Sequence, residues 1–444
     1  MTTISIDLSK QAGAIKDMNG VNNGPTFPGV RNISTNFESY KAAEISYART
    51  HDSSYYEPYG GEHIVDVHRI FKNFDADVND PESYLFEPTD IYLKNIADAG
   101  TKIFYRLGAS IEHHHKYGTR VPKDFQKWAE ICEHIIRHYN EGWADGMHLN
   151  IEYWEIWNEA DCKSPDGSNP CWQGTDEQYL EFYGVVAKHL KSCFPHLKIG
   201  GPAFCREDAM KEKFLPYVKE NNLPLDFYSY HKYSENIEKV AQSVVNCKNL
   251  LAENGITDCE IILNEWNYVL GWQGDRYNYS LRMMKSLKGA SFISGVMAAG
   301  QATPLDKLMY YEARPCSWCG LFDHNDLSRV HKGYYSFCMF SELRKLGTSL
   351  GLDYRYDDIY AVGATDGINK TIMLTYFTEN DNSEPAEVKL EFTNSTGNVK
   401  VSYYLLDEDR DAELVREEFF TADKFNVYLK QSLFSTYMIK IENM

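Results

Sequence analysis

Along most of the chain, short hydrophobic runs alternate with longer segments in which apolar residues recur every three or four positions. Runs of the first kind indicate buried strands, and segments of the second kind indicate amphipathic helices. The predicted helices with the clearest period cover residues 88–99, 125–140, 176–193 and 279–300. The predicted strands cover residues 18–25, 44–52, 101–108, 153–159, 197–202, 225–233, 260–267 and 307–313. Eight strands separated by helices predict an α/β fold, a (β/α)8 TIM barrel.

The pattern changes after about residue 347. Short alternating runs at 359–364, 370–377, 399–406 and 435–441 are separated by turn residues, which is typical of an antiparallel β-sandwich. A short alternating run also precedes the first barrel strand. We therefore expect three parts. They are residues 1–16, an N-terminal strand joining the sandwich, residues 17–346, the catalytic barrel, and residues 347–444, the C-terminal β-sandwich.

Two of the predicted barrel strands end in a glutamate beside an amide. Asn158-Glu159 closes the fourth strand, and Glu265-Trp266-Asn267 closes the seventh. Active sites of such barrels lie at the C-terminal ends of the strands. Retaining glycoside hydrolysis needs two carboxylates about 5–5.5 Å apart, one to protonate the leaving oxygen and one to attack the anomeric carbon. The pair predicts a retaining O-glycosidase with Glu159 as acid/base and Glu265 as nucleophile.

The neighbours of these glutamates have their own predicted roles. Asn158 would donate a hydrogen bond to the sugar hydroxyl next to the anomeric carbon. Trp266 has two open interpretations, a platform on which a sugar stacks or a packing residue. Glu155, within the fourth strand, is interpreted as structural and paired with an arginine.

Composition narrows the classes of partner. The formal net charge of −19 argues against nucleic acid and disfavours anionic membranes. The N-terminus shows no signal peptide, and we find no apolar run of the length that spans a membrane. Ten cysteines scattered through a chain of 444 residues without such a signal favour reduced thiols. We therefore expect a cytoplasmic protein.

Several short motifs resemble a known family. The Trp157-Asn158-Glu159 motif and the strand-seven Glu265 are similar to clan A of the retaining glycosidases. Arg49-x-His51, the stretch 80–86 and His231-x-Tyr233 resemble glycoside hydrolase family 39 within that clan, the β-xylosidase and α-L-iduronidase family. The resemblance covers residues of about 17–345.

The resemblance implies a double displacement with net retention by the two glutamates, and no cofactor. It also implies that His51, Asn158, His231 and Tyr233 contact the sugar, and that Tyr233 hydrogen-bonds the nucleophile. Strand eight departs from the family, because a tryptophan followed by an acidic residue is expected there. Tyr311 is predicted to replace the aromatic residue and Glu312 to be the acidic sugar ligand.

Two motifs suggest metals but are interpreted otherwise. His113-His114-His115 with Glu112 follows the third strand, yet adjacent histidines do not converge easily on one tetrahedral ion. Cys316-x-x-Cys319 lacks a second cysteine pair at zinc-finger spacing. We therefore predict no metal site.

The substrate prediction is an oligosaccharide or glycoside. Long loops at 52–87, 109–122 and 160–175 would wall the site into a pocket, which favours exo-acting release of a terminal sugar from short oligosaccharides. β-Xylosidase is the first expectation, with β-galactosidase, β-glucosidase and arabinose-releasing activity as alternatives. A transglycosidase, a non-catalytic carbohydrate-binding barrel and a homo-oligomeric state also stay open.

Overall fold

A computed structural model describes residues 1–26, 35–53, 63–110, 118–206 and 209–444. Two strands open the chain, β1 (Thr2–Asp7) and β2 (Gln11–Ala14). The next eight are β3 (Asp17–Asn22), β4 (Tyr47–Thr50), β5 (Lys102–Leu107), β6 (Tyr153–Ile156), β7 (Lys198–Phe204), β8 (Phe227–Ser234), β9 (Glu260–Tyr268) and β10 (Lys307–Tyr310). These eight close into a parallel barrel in which β10 pairs with β3. The predicted TIM barrel is confirmed.

Helices cover the outside of the barrel. They are α1 (Phe37–Ala42), α2 (Val67–Ile70), α3 (Glu87–Asp98), α4 (Phe125–Asn140), α5 (Asp176–Cys193), α6 (Ala209–Glu220), α7 (Ile237–Glu253), α8 (Gly274–Met283), α9 (Leu287–Ala302) and α10 (Lys332–Leu346). The bounds of α4 and α5 match the prediction, and side-chain caps from Asp124 and Thr175 fix where they begin. The predicted helix 279–300 is two helices, α8 and α9. None of the helices described has the length and apolar character needed to cross a bilayer.

The rest of the chain adds two stacked sheets. Their strands are β11 (Thr348–Leu350), β12 (Arg355–Tyr356), β13 (Ile359–Thr365), β14 (Lys370–Tyr376), β15 (Ala386–Thr393), β16 (Val399–Leu406), β17 (Asp411–Phe420), β18 (Phe425–Gln431) and β19 (Thr436–Asn443). One sheet has the order β1-β15-β18, and the larger one runs β17-β16-β19-β14-β13-β11-β2, with β12 beside β13. A shared apolar core lies between them. The predicted β-sandwich is confirmed.

The first strand of the chain joins this sandwich. Residues of β1 pair in parallel with β15, from Thr2 beside Val388 to Asp7 beside Thr393. This pairing agrees with the predicted assignment of the N-terminal strand to the sandwich. The boundaries at residues 16/17 and 346/347 stay a prediction. Strands β15, β17 and β18 were not among the predicted runs, and most positions of β17 face solvent.

Helix α9 separates the barrel from the larger sheet. All residues from Leu287 to Gly300 are buried, which explains why the segment lacks a polar face. Lys288, at its start, pairs with Asp381 and lies among the rings of four aromatic residues, Tyr268, Tyr279, Phe377 and Phe434. The sandwich is thereby attached to the barrel through polar as well as apolar contacts.

Inside the barrel, the floor is apolar. Its residues come from six strands and are fully buried: Tyr47, Phe104, Tyr153, Phe227, Ile262 and Met309. Because side chains alternate along a strand, the next inward residue of β6 after Tyr153 is Glu155. A layer of buried polar groups therefore rests on the apolar floor, and the strand tips lie above it.

Candidate active site

Arg49, at the end of β4, is the centre of the polar layer. It has no solvent exposure, and its guanidinium donates to Glu155 at 2.7 Å and to Glu265 at 2.8 Å. Its remaining donors reach the side-chain oxygens of Asn22 at 3.0 Å and Asn158 at 2.7 Å. One cation thus joins side chains from β3, β6 and β9. Pairing of Glu155 with an arginine is confirmed.

Glu155 is the buried counter-charge of Arg49 inside the barrel. Besides Arg49, it accepts hydrogen bonds from Ser229 at 2.6 Å and from the Asn264 amide. With its oxygens satisfied from several strands, the carboxylate holds Arg49 in a single orientation. Arg49 is therefore presented to Glu265 as a fixed charge.

Glu265 is held between two donors. One oxygen accepts from Arg49, and the other accepts from the Tyr233 hydroxyl at 2.9 Å. Burial raises the pKa of Glu265 to about 7, against the opposing effects of His231 and Arg49. Hydrogen bonds to both oxygens orient the carboxylate and favour its ionised form.

Glu159 lies beyond the last residue of β6 in a left-handed backbone conformation, with φ of 50°. Its N–H donates to the Ala203 carbonyl at 3.0 Å, which ties the tip of β6 to β7. His231 Nδ1 lies 2.7 Å from one carboxyl oxygen. Burial raises the pKa of Glu159 well above its usual range, and Cys162 and Asp161 raise it further. A raised pKa is what a proton donor requires.

The two carboxyl groups face one another across His231. One oxygen of Glu159, one oxygen of Glu265 and a nitrogen of His231 all lie within 4.8 Å of one another. Burial lowers the pKa of His231 to about 4, so its ring is neutral near pH 7. An oxygen-to-oxygen distance of at most 4.8 Å is shorter than the about 6.5–9.5 Å between the carboxyl groups of inverting glycosidases.

The other predicted sugar contacts lie around this pair. His51 is buried, with Nε2 3.6 Å from Glu265. The oxygen of Asn158 is held by Arg49, which leaves its amide nitrogen as a donor. Tyr311 hydrogen-bonds Asp52 at 3.0 Å, and its ring meets that of Tyr233 edge-on. The structure brings all of these to one end of the barrel.

Glu312 is less available than predicted. It is 1% exposed and accepts hydrogen bonds from Asn23 at 2.6 Å, Arg314 at 3.0 Å and Cys316 at 3.1 Å. These partners occupy both oxygens, so the observed geometry disfavours direct contact with a sugar.

The structure rules out one of the two interpretations of Trp266, the platform on which a sugar stacks. The ring is fully buried and packs against Phe292 of α9 and Tyr310 of β10, outside the barrel. The pairing of β9 with β8 shifts between Leu263 and Glu265, which marks a β-bulge. The bulge turns Glu265 inward and Trp266 outward, so Trp266 is a packing residue and no sugar platform.

Two other tryptophans line the site. Trp318 and Trp272 each meet the Tyr233 ring edge-on, at 5.7 and 5.2 Å, and lie 5.7 Å from each other. Trp272 is 59% exposed. Both belong to loops after β9 and β10, where no strand pattern pointed to them. Arg49 belongs to the Arg49-x-His51 motif, but its position between Glu155 and Glu265 could be inferred only from the closed barrel.

Three groups in the described part of the chain could hold a metal ion geometrically: Glu159 with His231 and Glu265, Glu159 with Cys162 and Cys205, and Glu133 with His189 and Cys193. The Cys316 and Cys319 thiols are free and belong to none of them. The predicted loops 52–87 and 109–122 lie partly outside the described residues, as does the whole cluster of Glu112 and His113-His114-His115.

The arrangement agrees with a comparison against protein families. The sequence model described as "Glycosyl hydrolases family 39" matches residues 43–261, about half of the chain. The chain belongs to glycoside hydrolase family 39. The matched region contains Arg49, Glu159 and His231, and Glu265 follows just beyond its end. The predicted membership is confirmed.

Individual relatives of this family 39 protein match over shorter stretches. A β-xylosidase from Geobacillus stearothermophilus is 34% identical over 142 residues, which are 32% of this chain and 25% of the relative. A β-xylosidase from Caldicellulosiruptor saccharolyticus is 26% identical over 164 residues, 35% of this chain and 32% of the relative. The matches thus span a quarter to a third of these curated relatives.

The fold comparison covers the whole chain. A glucosidase from Croceicoccus marinus has a TM-score of 0.80 at 19% identity, with 100% of this chain and 99% of the other covered. This similarity concerns the fold, barrel and sandwich together. This family 39 protein therefore resembles β-xylosidases in sequence over about a third of its length, and its barrel and sandwich together share the fold of the Croceicoccus marinus glucosidase.

Proposed function

We propose that the protein is an exo-acting retaining glycosidase, with Glu159 as acid/base and Glu265 as nucleophile. The observation that carries the proposal is the separation of the two carboxyl groups, which place oxygens within 4.8 Å of each other. Inverting enzymes keep their carboxyl groups about 6.5–9.5 Å apart to admit a water molecule between base and sugar. The short separation favours direct attack on the sugar.

In the first step, Glu265 attacks the anomeric carbon while Glu159 gives its proton to the departing glycosidic oxygen. The bond to the leaving group breaks and a covalent glycosyl ester forms on Glu265. In the second step, Glu159, now ionised, takes a proton from water. The water oxygen displaces Glu265 from the same carbon, and two inversions give net retention.

The surroundings of the two glutamates support different roles. Arg49 and Tyr233 donate to Glu265, which favours its ionised form. Glu159 is only 12% exposed beside Cys162 and Asp161, and its raised pKa keeps the acid protonated. After the first step, Glu265 is an ester and no longer a charge, which lowers the pKa of Glu159 and suits its second role as a base.

The sugar contacts follow from the positions of the side chains. The amide nitrogen of Asn158 would donate to the hydroxyl next to the anomeric carbon. His51, His231 and Tyr233 would surround the ring of the terminal sugar, with Tyr311 beyond them. Trp318 and Trp272 would form an aromatic wall toward the leaving group, because Trp272 is exposed at the mouth of the site.

β-Xylosides are the first proposed substrates, since the two curated relatives are β-xylosidases. β-Glucosides come next, on the likeness to a glucosidase fold, followed by β-galactosides and arabinosides. A cytoplasmic location is part of the proposal and is supported by the ten free thiols, all of which lie in the described part of the chain.

The test is hydrolysis of nitrophenyl β-xyloside, β-glucoside, β-galactoside and α-L-arabinoside, with the product anomer followed by NMR. We expect one glycone to be preferred and the first product to keep its configuration. Glu265→Ala should be inactive, and azide should restore turnover with an inverted glycosyl azide. Glu159→Ala with azide should give the retained glycosyl azide.

Glu260→Ala is the matched control. Glu260 is the first residue of β9 and pairs with Lys198, the first residue of β7, at the end of the barrel away from the proposed site. It should retain turnover. An inverted first product would contradict the retaining mechanism. Sugar binding without turnover in the wild type, unchanged in Glu265→Ala, would instead identify a carbohydrate-binding barrel.

A further inference from the structure

Three cysteine thiols lie beside Glu159, and none of them contacts the sugar or transfers a proton in the proposed reaction. The sulfur atoms of Cys162 and Cys205 and one carboxyl oxygen of Glu159 lie within 4.8 Å of one another. The Cys171 sulfur lies 3.8 Å from the Oε2 atom of Glu159. The three sulfur atoms therefore form one group around the Glu159 carboxylate.

The backbone fixes this grouping. Cys162 N–H donates to the Glu159 carbonyl at 2.9 Å, which folds the chain back in a turn. The buried Asp161 carboxylate accepts from the N–H groups of Cys205 at 3.0 Å and Arg206 at 2.8 Å. The loop after β6 is therefore joined to the end of β7, and the two thiols approach each other because their backbones are held.

We propose that Glu159, Cys162 and Cys205 bind a thiophilic divalent cation such as Zn²⁺, and that the bound ion inhibits the enzyme. Zinc binds thiolate sulfur at about 2.3 Å and carboxylate oxygen at about 2.0–2.2 Å in tetrahedral geometry. Ligand atoms around such an ion are about 3.5–3.8 Å apart. The observed spacing of at most 4.8 Å therefore has to shorten by about 1.3 Å at most to reach that distance.

The fourth ligand position is also provided for. The Cys171 sulfur lies 3.8 Å from the Oε2 atom of Glu159, and solvent reaches the group because Glu159, Cys162 and Cys205 are all partly exposed. Two thiolates, one carboxylate and either Cys171 or water make a set that zinc accepts. Metal binding displaces the thiol protons to solvent.

The consequence concerns the acid/base. A carboxylate that coordinates a cation cannot carry the proton that the leaving group needs. The ion would therefore stop the first step by occupying Glu159, and removal of the ion would restore activity. This half of the inference rests on the proposed function, whereas binding of the ion does not.

A second group offers a comparison within the same molecule. Glu133 on α4 lies near His189 and Cys193 on α5. Its carboxylate already pairs with Arg137 at 2.8 Å and with His189 at 2.7 Å, and the group contains one thiol. We therefore expect it to bind a thiophilic ion more weakly than the two thiols beside Glu159.

The experiment titrates the full chain with Cd²⁺ and follows the ultraviolet absorbance of cadmium–thiolate bonds. The wild type should show a saturating signal for one ion. Cys162→Ser and Cys205→Ser should each weaken binding by at least about 100-fold, which is more than the loss of a hydrogen-bond partner of a ligand usually costs. Cys193→Ser is the matched control and should bind as the wild type does. Thermal unfolding checks that each variant is folded.

Inhibition is measured in parallel with Zn²⁺. The wild type should lose glycosidase turnover reversibly on addition of Zn²⁺ and regain it with a chelator, whereas Cys162→Ser should be insensitive. A wild type without a thiolate signal, or a signal lost in Cys193→Ser alone, would overturn the site. Binding without inhibition would overturn the inhibitory role. Absence of any glycosidase activity would refute the proposed function, and the cadmium signal would still decide the metal site.

Discussion

The guanidinium of Arg49 lies 2.8 Å from the carboxylate of Glu265 and 2.7 Å from that of Glu155. The Glu155 carboxylate is fully buried and holds the guanidinium in place, whereas Glu265 is the proposed nucleophile. Because Arg49 serves both, the stability of the barrel and the protonation of Glu265 depend on the same side chain.

Replacement of Arg49 by methionine should therefore have two effects. The free energy of unfolding should fall by about 3–5 kcal/mol, because Glu155 is left buried without its cation. At neutral pH, kcat/KM should fall at least about 100-fold, since the pKa of Glu265 rises and less of it is ionised. Urea unfolding and steady-state kinetics measure the two effects.

Arg106→Met is the matched control for this variant. Arg106 is equally buried on the neighbouring strand, and its side chain bonds Asp66 at 2.8 Å and Ser110 at 2.7 Å. It should lose similar stability with a much smaller change in kcat/KM. Equal kinetic losses in the two variants would show that Arg49 acts only through the fold.

The pH profile should reveal the Tyr233–Glu265 hydrogen bond. Glu265 must be ionised, so kcat/KM should rise as the pH passes its pKa of about 7. Activity should fall at higher pH, where Glu159 loses its proton. In Tyr233→Phe the ionised form of Glu265 loses a donor, so the rising limb should move to higher pH and kcat should drop about 10- to 100-fold.

Tyr228→Phe is the control on the same strand. The Tyr228 hydroxyl is buried and finds no hydrogen-bond partner within the part of the chain that is described. Its removal should leave the pH profile unchanged. An unshifted rising limb in Tyr233→Phe would contradict the proposed role of that hydroxyl.

Tryptophan variants should separate substrate contacts from packing. Trp318→Ala should raise KM for a glycoside with a large leaving group about tenfold, because the aromatic wall is lost. Trp266→Ala should instead lower the free energy of unfolding by about 3–5 kcal/mol, because it empties space between β9 and α9. Kinetics and denaturation of both variants make the comparison, and a KM effect confined to Trp266→Ala would reverse the assignment.

Lys288 should stabilise the contact between barrel and sandwich. Lys288→Met should lower the free energy of unfolding by about 1–2 kcal/mol, because the ammonium group loses Asp381 and the surrounding rings. Lys332→Met is the control, since Lys332 also bridges the two parts through Asp411 but is more exposed. It should change stability by less than about 1 kcal/mol, and an equal loss in both variants would contradict the special role of Lys288.

The sequence by itself determined the order of the barrel strands, the bounds of α4 and α5, and the two carboxylates at strand tips. These features are local, because the hydrophobic period and the helix caps depend on residues that are close together in the sequence. The hydrophobic pattern did not predict β17, because most of its residues face solvent and such strands carry little hydrophobic pattern.

Only the tertiary structure decided which way Trp266 points and what surrounds Glu159. A bulge in β9 reverses the alternation that would have turned Trp266 inward, and the strand pattern gives no sign of it. Arg49, Tyr233 and Cys205 meet the two glutamates only when the barrel closes, since they come from strands and loops far apart in the chain. The period of hydrophobic residues determines which face of each helix or strand is buried. Closure of the barrel determines which of these faces lie together at one site.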